Sequence, residues 1–260
     1  MRTLTFYPLS GFPEFTEGMD LSALLRERLE AQNIQPQEGD ILVVTHKALS
    51  KVSGQVRDLA TVSPSPQASA LAERTGKDPR LAEVILSSAE RVYACDRGIV
   101  IAERWDGWIC CNAGVDASNA GGMGRVILLP EDCDRCAREI SRILSGWYGF
   151  PIPVIICDTH GRALRSGTAG VTVGSFGLEP IRRYTGKTDR NGRRLLSTQE
   201  AVADELAGAA TLVMGQGDEG VPAVLIRGFV YTFAETDATA LRLPREQRLY
   251  HLHGTYFEKE

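Results

Sequence analysis

Between positions 153 and 167 the chain reads PVIICDTHGRALRSG, an apolar run that breaks at once into an acid, a hydroxyl, an imidazole and two guanidiniums. Asp158 and Thr159 offer the hard oxygen donors that Mg²⁺ or Mn²⁺ takes. Arg162 and Arg165 carry planar forks that make paired hydrogen bonds to phosphate or carboxylate. A solvent-facing turn needs one or two polar residues, so this stretch reads as a turn that is also a site. His160, among such neighbours, reads as an auxiliary group.

Three further stretches break the pattern of ordinary loops. HKALSKVSG sets Lys47 and Lys51 just beyond the strand-like ILVVT, where two ammoniums serve an anion or decorate a solvated turn. NAGVDASNAGG, residues 112–122, spaces Asp116 and Asn119 three apart among small residues that leave the backbone accessible. MGQGDEGVP, residues 214–222, combines close-approach glycines with Gln216, Asp218 and Glu219, and reads either as a ligand loop or as an acidic turn. TGKTD at 185–189 is not a phosphate-binding P-loop. The required earlier glycine is Ile181, and DRNG, a turn, follows where a helix should begin. Lys187 remains available to a substrate carboxylate. No Ser-His-Asp ordering and no active-site cysteine signature accompanies these stretches. The inventory therefore favours metal-assisted, electrostatic chemistry on anions over a protein nucleophile.

Those stretches hang on a mixed set of elements. LTFYPL, ILVVTHK, RVYAC, GIVIAER, GWICCNAG, RVILLP, PVIIC, AGVTVG and AVLIRGFVY read as strands. LSALLRERLEAQ, ASALAERTG, PRLAEVILSSAE, the segment around EDCDRCAREISRILSGW, and TQEAVADELAGAATLVM read as helices. Ser197 with Glu200 supplies a capping box for the last of these. The order keeps no strict strand–helix–strand rhythm, so α+β is expected rather than a doubly wound sheet. PSPQ near residue 65 reads as a surface link. The 260 residues suit one unit, 1–260, with room for two subdomains whose boundary the sequence leaves open.

Composition limits the partners. With 43% hydrophobic residues the chain has ample material for a core, and a net charge of −4 argues against a general nucleic-acid binder. No apolar run approaches a membrane span, and the first residues lack a signal-peptide core, so a cytoplasmic protein is expected. The six cysteines are then reduced thiols rather than a disulfide framework. Cys133 and Cys136 form the one CxxC. Without a second pair of ligands they read as helical thiols and not as a zinc site. The His-x-His at 251–253 is read as a neutral tail feature.

Taken in order, PLSGFPEF, GDILVVTHKALSKVSG, CNAGVDASN, CDTHGRALRSG, GKTDRNGRRL and ADELAGAATLVMGQGDEGVPAVLIRG resemble the coenzyme F420-0:L-glutamate ligases over roughly residues 8 to 228. These add γ-linked glutamates at the lactyl-phosphate side of a deazaflavin coenzyme. The resemblance implies a GTP-dependent amide-bond ligase with an α+β fold, forming an intertwined homodimer. Its small-molecule partners would be coenzyme F420-0, L-glutamate and GTP. It further implies two divalent cations, Mg²⁺ or Mn²⁺, with K⁺ as an additional candidate. On this resemblance Asp116 and Asp158 match ligands of one ion, and Thr159 and Gln216 those of a second. Leu9, Ser10, Gly11 and Phe12, with His46, Lys47, Lys51 and Asn119, match nucleotide contacts. So does the loop Met214, Gly215, Gln216, Gly217, Asp218, Glu219, Gly220 and Val221. Asp158, Arg162 and Arg165 are the expected catalytic groups. The chain departs from the family pattern at His160, usually aromatic, at Ala163, usually proline, and at GSFG, 174–177. These departures are expected beside the acceptor pocket, leaving a different carboxylate acceptor, or a non-catalytic nucleotide-binding relative, as alternatives. The second domain that some members carry is not expected here.

Overall fold

The computed structural model describes residues 3–96, 98–162, 165–248 and 257–258. The chain begins with strand β1 (Thr5–Leu9), helix α1 (Leu21–Ala31), strand β2 (Ile41–Thr45) and helix α2 (His46–Val52). Then follow β3 (Val56–Asp58), α3 (Pro66–Thr75), α4 (Pro79–Ser88), β4 (Arg91–Asp96), β5 (Ile99–Glu103), β6 (Ile109–Cys111) and β7 (Arg125–Ile127). Helix α5 (Cys133–Tyr148) leads into a long hairpin, β8 (Val154–Arg162) and β9 (Arg165–Phe176). The short pair β10 (Arg182–Arg183) and β11 (Gln199–Glu200), helix α6 (Val202–Met214), β12 (Ala223–Arg227) and β13 (Phe257–Glu258) complete it. The mixture is the α+β class expected.

The elements fall into two compact units. The first comprises Met1–Phe15, Asp20–Ala48 and Asp132–Leu241; the second comprises Thr16–Met19, Leu49–Glu131 and Arg242–Glu260. In the first unit five strands pair in the order β1-β12-β2-β8-β9. Only β2 and β8 are parallel neighbours. Covering both faces explains why ILVVT is an unbroken apolar run, since a strand buried on both sides needs no polar alternation. Ile41, Val43, Ile155, Cys157, Val224 and Ile226 pack under Val202, Leu206, Ala207, Ala210 and Met214 of α6. The alternating residues Leu42, Val44, Val154 and Ile156 are buried as well. Two glycines of β9 show how closely the helices approach. A Cβ at Gly170 would meet the carbonyl of Ala207 on α6 at 2.7 Å, and one at Gly174 would run into the backbone of Cys133 at the start of α5. A register shift in β9 separates these two glycines, which turns them toward opposite faces.

In the second unit a four-stranded sheet, ordered β13-β4-β5-β6, and the pair β3–β7 share a core with α3 and α4. Leu71, Ile85, Val92, Val100 and Val126 are fully or almost fully buried in it. Both helices begin on a capping side chain followed by proline: Ser65 before Pro66, and Asp78 before Pro79. PSPQ is therefore a helix start as well as a link.

Several local expectations need correction. Residues 157–167 are not a turn: β8 continues through Arg162 and β9 begins at Arg165, so the polar run lies on a hairpin. β-branched Thr159 favours a strand while Gly161 does not, so tertiary pairing decides it. ILVVTHK ends as a strand at Thr45, and His46 opens a helix. The capping box does not form. Glu200 is taken by β11 and by Arg182 and Tyr184, and α6 starts at Val202 with no side-chain cap. AVLIRGFVY is strand only through Arg227, and GWICCNAG only over Ile109–Cys111. AGVTVG belongs to the longer β9. The GSFG departure is a packing feature: Ser175 is fully buried, its amide donates to Asp134 Oδ1 of α5 at 2.8 Å, and Phe176 lies beneath Arg138. Ala163, and most of the tail that holds His251 and His253, lie outside the described residues.

Candidate functional site

Strand register in the first unit gathers four distant segments at one edge of the sheet. Leu9, Ala223, Val44, Ile156 and Gly174 form one cross-strand row. β1, β2 and β8 run in the same direction, so whatever follows Leu9, Val44 and Ile156, or precedes Ala223, leaves the sheet on the same side. Those segments are Ser10 to Phe12, His46 with Lys47, Asp158 to His160, and the loop 214–222. The Thr45 amide donates to the Pro222 carbonyl at 2.8 Å, which ties the loop to the strand that carries His46.

Asp158 stands at the middle of this edge. Strand alternation sets Asp158 and His160 on one face of β8 and the Thr159 side chain on the other. One carboxylate oxygen lies 3.2 Å from Nε2 of His46, and the other lies 3.2 Å from Nε2 of His160. The Asp158 side chain is only 13% exposed, and that of His46 only 1%. The Thr159 amide donates to Oδ1 at 2.7 Å. Burial pushes the Asp158 carboxyl upward, but the charge of His46 and the hydrogen bonds of both histidines outweigh it and hold the group well below the usual carboxylate range. The outcome is an ionised carboxylate in a poorly solvated place, where its attraction for a cation is strong.

Asp204, in the first turn of α6, was not singled out from sequence. Its Oδ1 accepts from the Thr172 amide at 2.9 Å, burial raises its pKa, and the charge of His160 acts against that rise. Thr172 is paired with Cys157, the residue before Asp158, so this second acid stands at the same edge. The only sequence signal was an acid in the first turn of an apolar helix, which helix-dipole arguments explain equally well.

The other expected groups sit as follows. Leu9 ends β1 and is buried. After it, the Ser10 amide donates to Gln32 Oε1 at 2.9 Å, and Arg28 Nη1 donates to the Gly11 carbonyl at 2.9 Å, so α1 braces the turn that carries Phe12. Gly11 has a φ of 76°, a conformation that favours glycine. In the loop after Met214, the Glu219 carboxylate accepts from the Gly217 amide at 2.8 Å. The amides of Glu219, Gly217 and Gln216 together hold that carboxyl below its ordinary range. They form an anion-accepting nest that an internal carboxylate fills. Gly215 is favoured there by its backbone, whose φ of 76° and ψ of −176° lie in a region essentially confined to glycine. Gln216, Asp218 and Gly220 are exposed, and Val221 packs against the α6 core. Arg165 is exposed and stands in register opposite Arg162, whose side chain lies outside the described residues.

Lys51, Asp116 and Asn119 belong to the second unit. Both Asp116 oxygens accept from Ser118, from its amide at 2.7 Å and from its hydroxyl at 3.0 Å. Asp116 also forms a β-bridge with Ile127. Asn112, Ala113 and Asn119 have positive φ values of 52°, 52° and 55°. For a buried alanine that conformation is strained, and such strain collects at functional loops.

Asp158, Thr159 and Gln216 are all oxygen donors, which suits a hard divalent cation. Among the described residues no three His, Cys, Asp or Glu side chains gather into a metal-holding group. A cation here would therefore lean on hydroxyl, amide and substrate oxygens beside Asp158. Cys133 and Cys136 stand on α5, and burial pushes the Cys136 thiol up to about 11, which makes it a poor thiolate at neutral pH.

Residues 11–228 match the family model described as F420-0:Gamma-glutamyl ligase. The coenzyme F420:L-glutamate ligase of Methanopyrus kandleri is 46% identical over 228 residues, covering 88% of each chain. That of Methanothermobacter thermautotrophicus is 42% identical over 93% of this chain and 95% of its own. That of Natronomonas pharaonis is 40% identical over 92% and 91%. No helix among the described residues is long and apolar enough to cross a membrane.

Proposed function

We propose, because this chain belongs to the F420-0:Gamma-glutamyl ligase family, that it joins L-glutamate to coenzyme F420-0 at the cost of GTP. The observation that carries the reading is the ionised, nearly buried Asp158 at the same sheet edge as the amide nest of the 214–222 loop.

A carboxylate is a poor acyl donor, because attack by an amine must expel an oxide. In the first step a carboxylate oxygen of the acceptor bonds to the γ-phosphorus of GTP, the bond to the β-phosphate oxygen breaks, and GDP leaves. In the second, the α-amine of glutamate attacks the acyl carbon, the carbon–oxygen bond to phosphate breaks, and the amine loses a proton. Both steps gather negative charge between nucleotide and acceptor, so positioning and charge compensation supply the catalysis. Amides of the Gln216–Glu219 nest receive phosphate oxygens once the Glu219 carboxylate gives way. Lys47 adds positive charge at the same edge, and Arg165 adds it farther out, at the tip of the β8–β9 hairpin. His46 and His160 keep the two Asp158 oxygens oriented and ionised. Asp158 would hold one Mg²⁺ or Mn²⁺, and Thr159 with Gln216 a second, which would neutralise the transferring phosphoryl group, with K⁺ as a further candidate. The same reading carries a cytoplasmic homodimer, and exposed Leu212, Val230 and Phe233 leave apolar surface available to a second copy.

A different acceptor acid has little support. His160 is engaged with Asp158, and Gly174 to Phe176 pack against α5, so these departures change supports rather than a visible pocket wall. Mass spectrometry of the protein incubated with F420-0, GTP, L-glutamate and Mn²⁺ tests the proposal. The expected result is a gain of one or more glutamyl units with GDP formed. Neither mass gain nor GDP would remove the assignment.

A further inference from the structure

The segment 182–200 contains six cations, Arg182, Arg183, Lys187, Arg190, Arg193 and Arg194, against Asp189 and Glu200, in a chain whose net charge is −4. It folds as a ribbon. Arg182 pairs with Glu200, Arg183 with Gln199, and Thr188 with Arg194 in one register. The Tyr184 amide donates to Thr198, Gly186 to Leu195, and Leu195 to Lys187. At the tip, Asp189 Oδ1 accepts from the amides of Asn191 and Arg193, both at 2.9 Å, so the turn is pinned.

The cations divide into two groups. Arg182 and Arg183 at the base are paired, with Glu200 at 3.2 Å and Glu179 at 3.3 Å. Lys187, Arg190, Arg193 and Arg194 are exposed, and among the described residues no ion pair joins any of them to a carboxylate. Four like charges on one short ribbon repel one another, and an ordinary solvated surface would intersperse the signs. Three of the four are arginines, whose fork suits carboxylates. The ribbon is also rooted near Asp158. Glu200 and Ala201 lead directly into α6, whose Asp204 bonds the Thr172 amide beside Cys157.

We propose that this ribbon is an anion-holding arm for the growing γ-glutamyl tail of the product. The proposal rests on the ligase reading above and names the part of the substrate that the arm takes. Each addition consumes one carboxylate as an amide and brings two, so the tail gains one negative charge per glutamate. The acceptor end common to all forms keeps its charge. A cationic arm therefore discriminates by tail length, retains longer products and favours further addition.

The test compares F420-0 with the coenzyme carrying three γ-linked glutamates. Binding to native protein and to the exposed-residue variant R190Q/R193Q/R194Q is followed by deazaflavin fluorescence in about 50 and about 200 mM salt, which brackets the range of strong and weak screening. Native protein should prefer the three-glutamate form by about tenfold at low salt, the size expected of three exposed ion pairs. The preference should shrink at high salt and vanish in the variant, while F420-0 affinity is kept. With substrates supplied, the variant should accumulate singly extended product. An undiminished preference in the variant would overturn the proposal. So would equal weakening of both ligands, which would place the arm on the shared phosphate end. If native protein binds neither ligand, the ligase reading itself fails, a result distinct from both.

Discussion

Two nearly buried carboxylates, Glu103 of the second unit and Asp158 of the first, each have two side-chain partners and are built to different ends. Glu103 in the second unit is 10% exposed, with Arg248 Nη2 at 2.9 Å from one oxygen and the Tyr93 hydroxyl bonded to the other. Asp158 in the first is 13% exposed, with one histidine on each oxygen. Burial pushes both groups upward, and in both the partners win, so both are held below the usual carboxylate range. The partners differ in kind. A guanidinium is always charged, and that of Arg248 gives Nη2 to Glu103 and Nη1 to the Tyr93 hydroxyl, which clamps residue 248 to the β4–β5 sheet. Imidazoles are single-point contacts, and with one on each oxygen they orient Asp158 while leaving it lone pairs for a cation. Burial and a depressed pKa alone do not mark a catalytic acid. The chemistry of the partners separates a clamp from a site.

Substitutions that preserve shape sharpen this contrast. Asp158→Asn should lower glutamyl transfer by about 10³-fold, since it removes the charge around which the site is arranged. Its thermal unfolding should stay cooperative. Near-native turnover would make Asp158 a structural acid like Glu103. His160→Asn, a change in a positioning residue, should cost about 10- to 100-fold in turnover, the size seen when groups that orient ligands are lost. Mn²⁺ affinity, measured by electron paramagnetic resonance, should weaken in parallel. Turnover that falls without a change in Mn²⁺ affinity would detach His160 from that role.

Glu103→Gln should do the reverse. Turnover should stay within about twofold, and stability in a urea melt should fall by about 1–3 kcal/mol, the worth of hydrogen bonds to a charged group. A large loss of turnover at unchanged stability would break the distinction. The same variant carries a pH signature. Because the folded-state pKa of Glu103 is depressed, its contribution is fully present above the unfolded carboxylate value of about 4.3 and is lost as pH falls through the folded value. The stability gap between native protein and Glu103→Gln should therefore be widest near neutrality, begin to narrow as pH falls through the ordinary carboxylate range, and close only below the depressed folded value. The smallest effect expected is that of Tyr93→Phe, about 0.5–1.5 kcal/mol, read from the same melts with Arg248 still in place.

Much of this was legible in the sequence. The apolar run ILVVT announced a buried strand, ASALAERTG and PRLAEVILSSAE announced helices, and the glycine-rich 214–222 loop and Asp158 stood out as candidates for chemistry. Those features are local, and local propensity governs them. What misled was equally local. His46 extended a strand pattern yet began a helix, Ser197 and Glu200 spelled a capping box that a β-ribbon claimed, and CDTHGR looked like a turn but paired as a strand. Only the tertiary structure set Leu9, Thr45, Asp158 and Pro222 at one edge, because cross-strand register is decided by pairing partners far away in the chain. Asp204 and the braces Arg28 and Gln32 had no sequence signal beyond their polarity, since their roles depend on which backbone amides and carbonyls the fold carries to them. The sequence by itself determined which groups can do chemistry; the sheet determined which of them meet, because non-local hydrogen bonding, not composition, sets the distances between them.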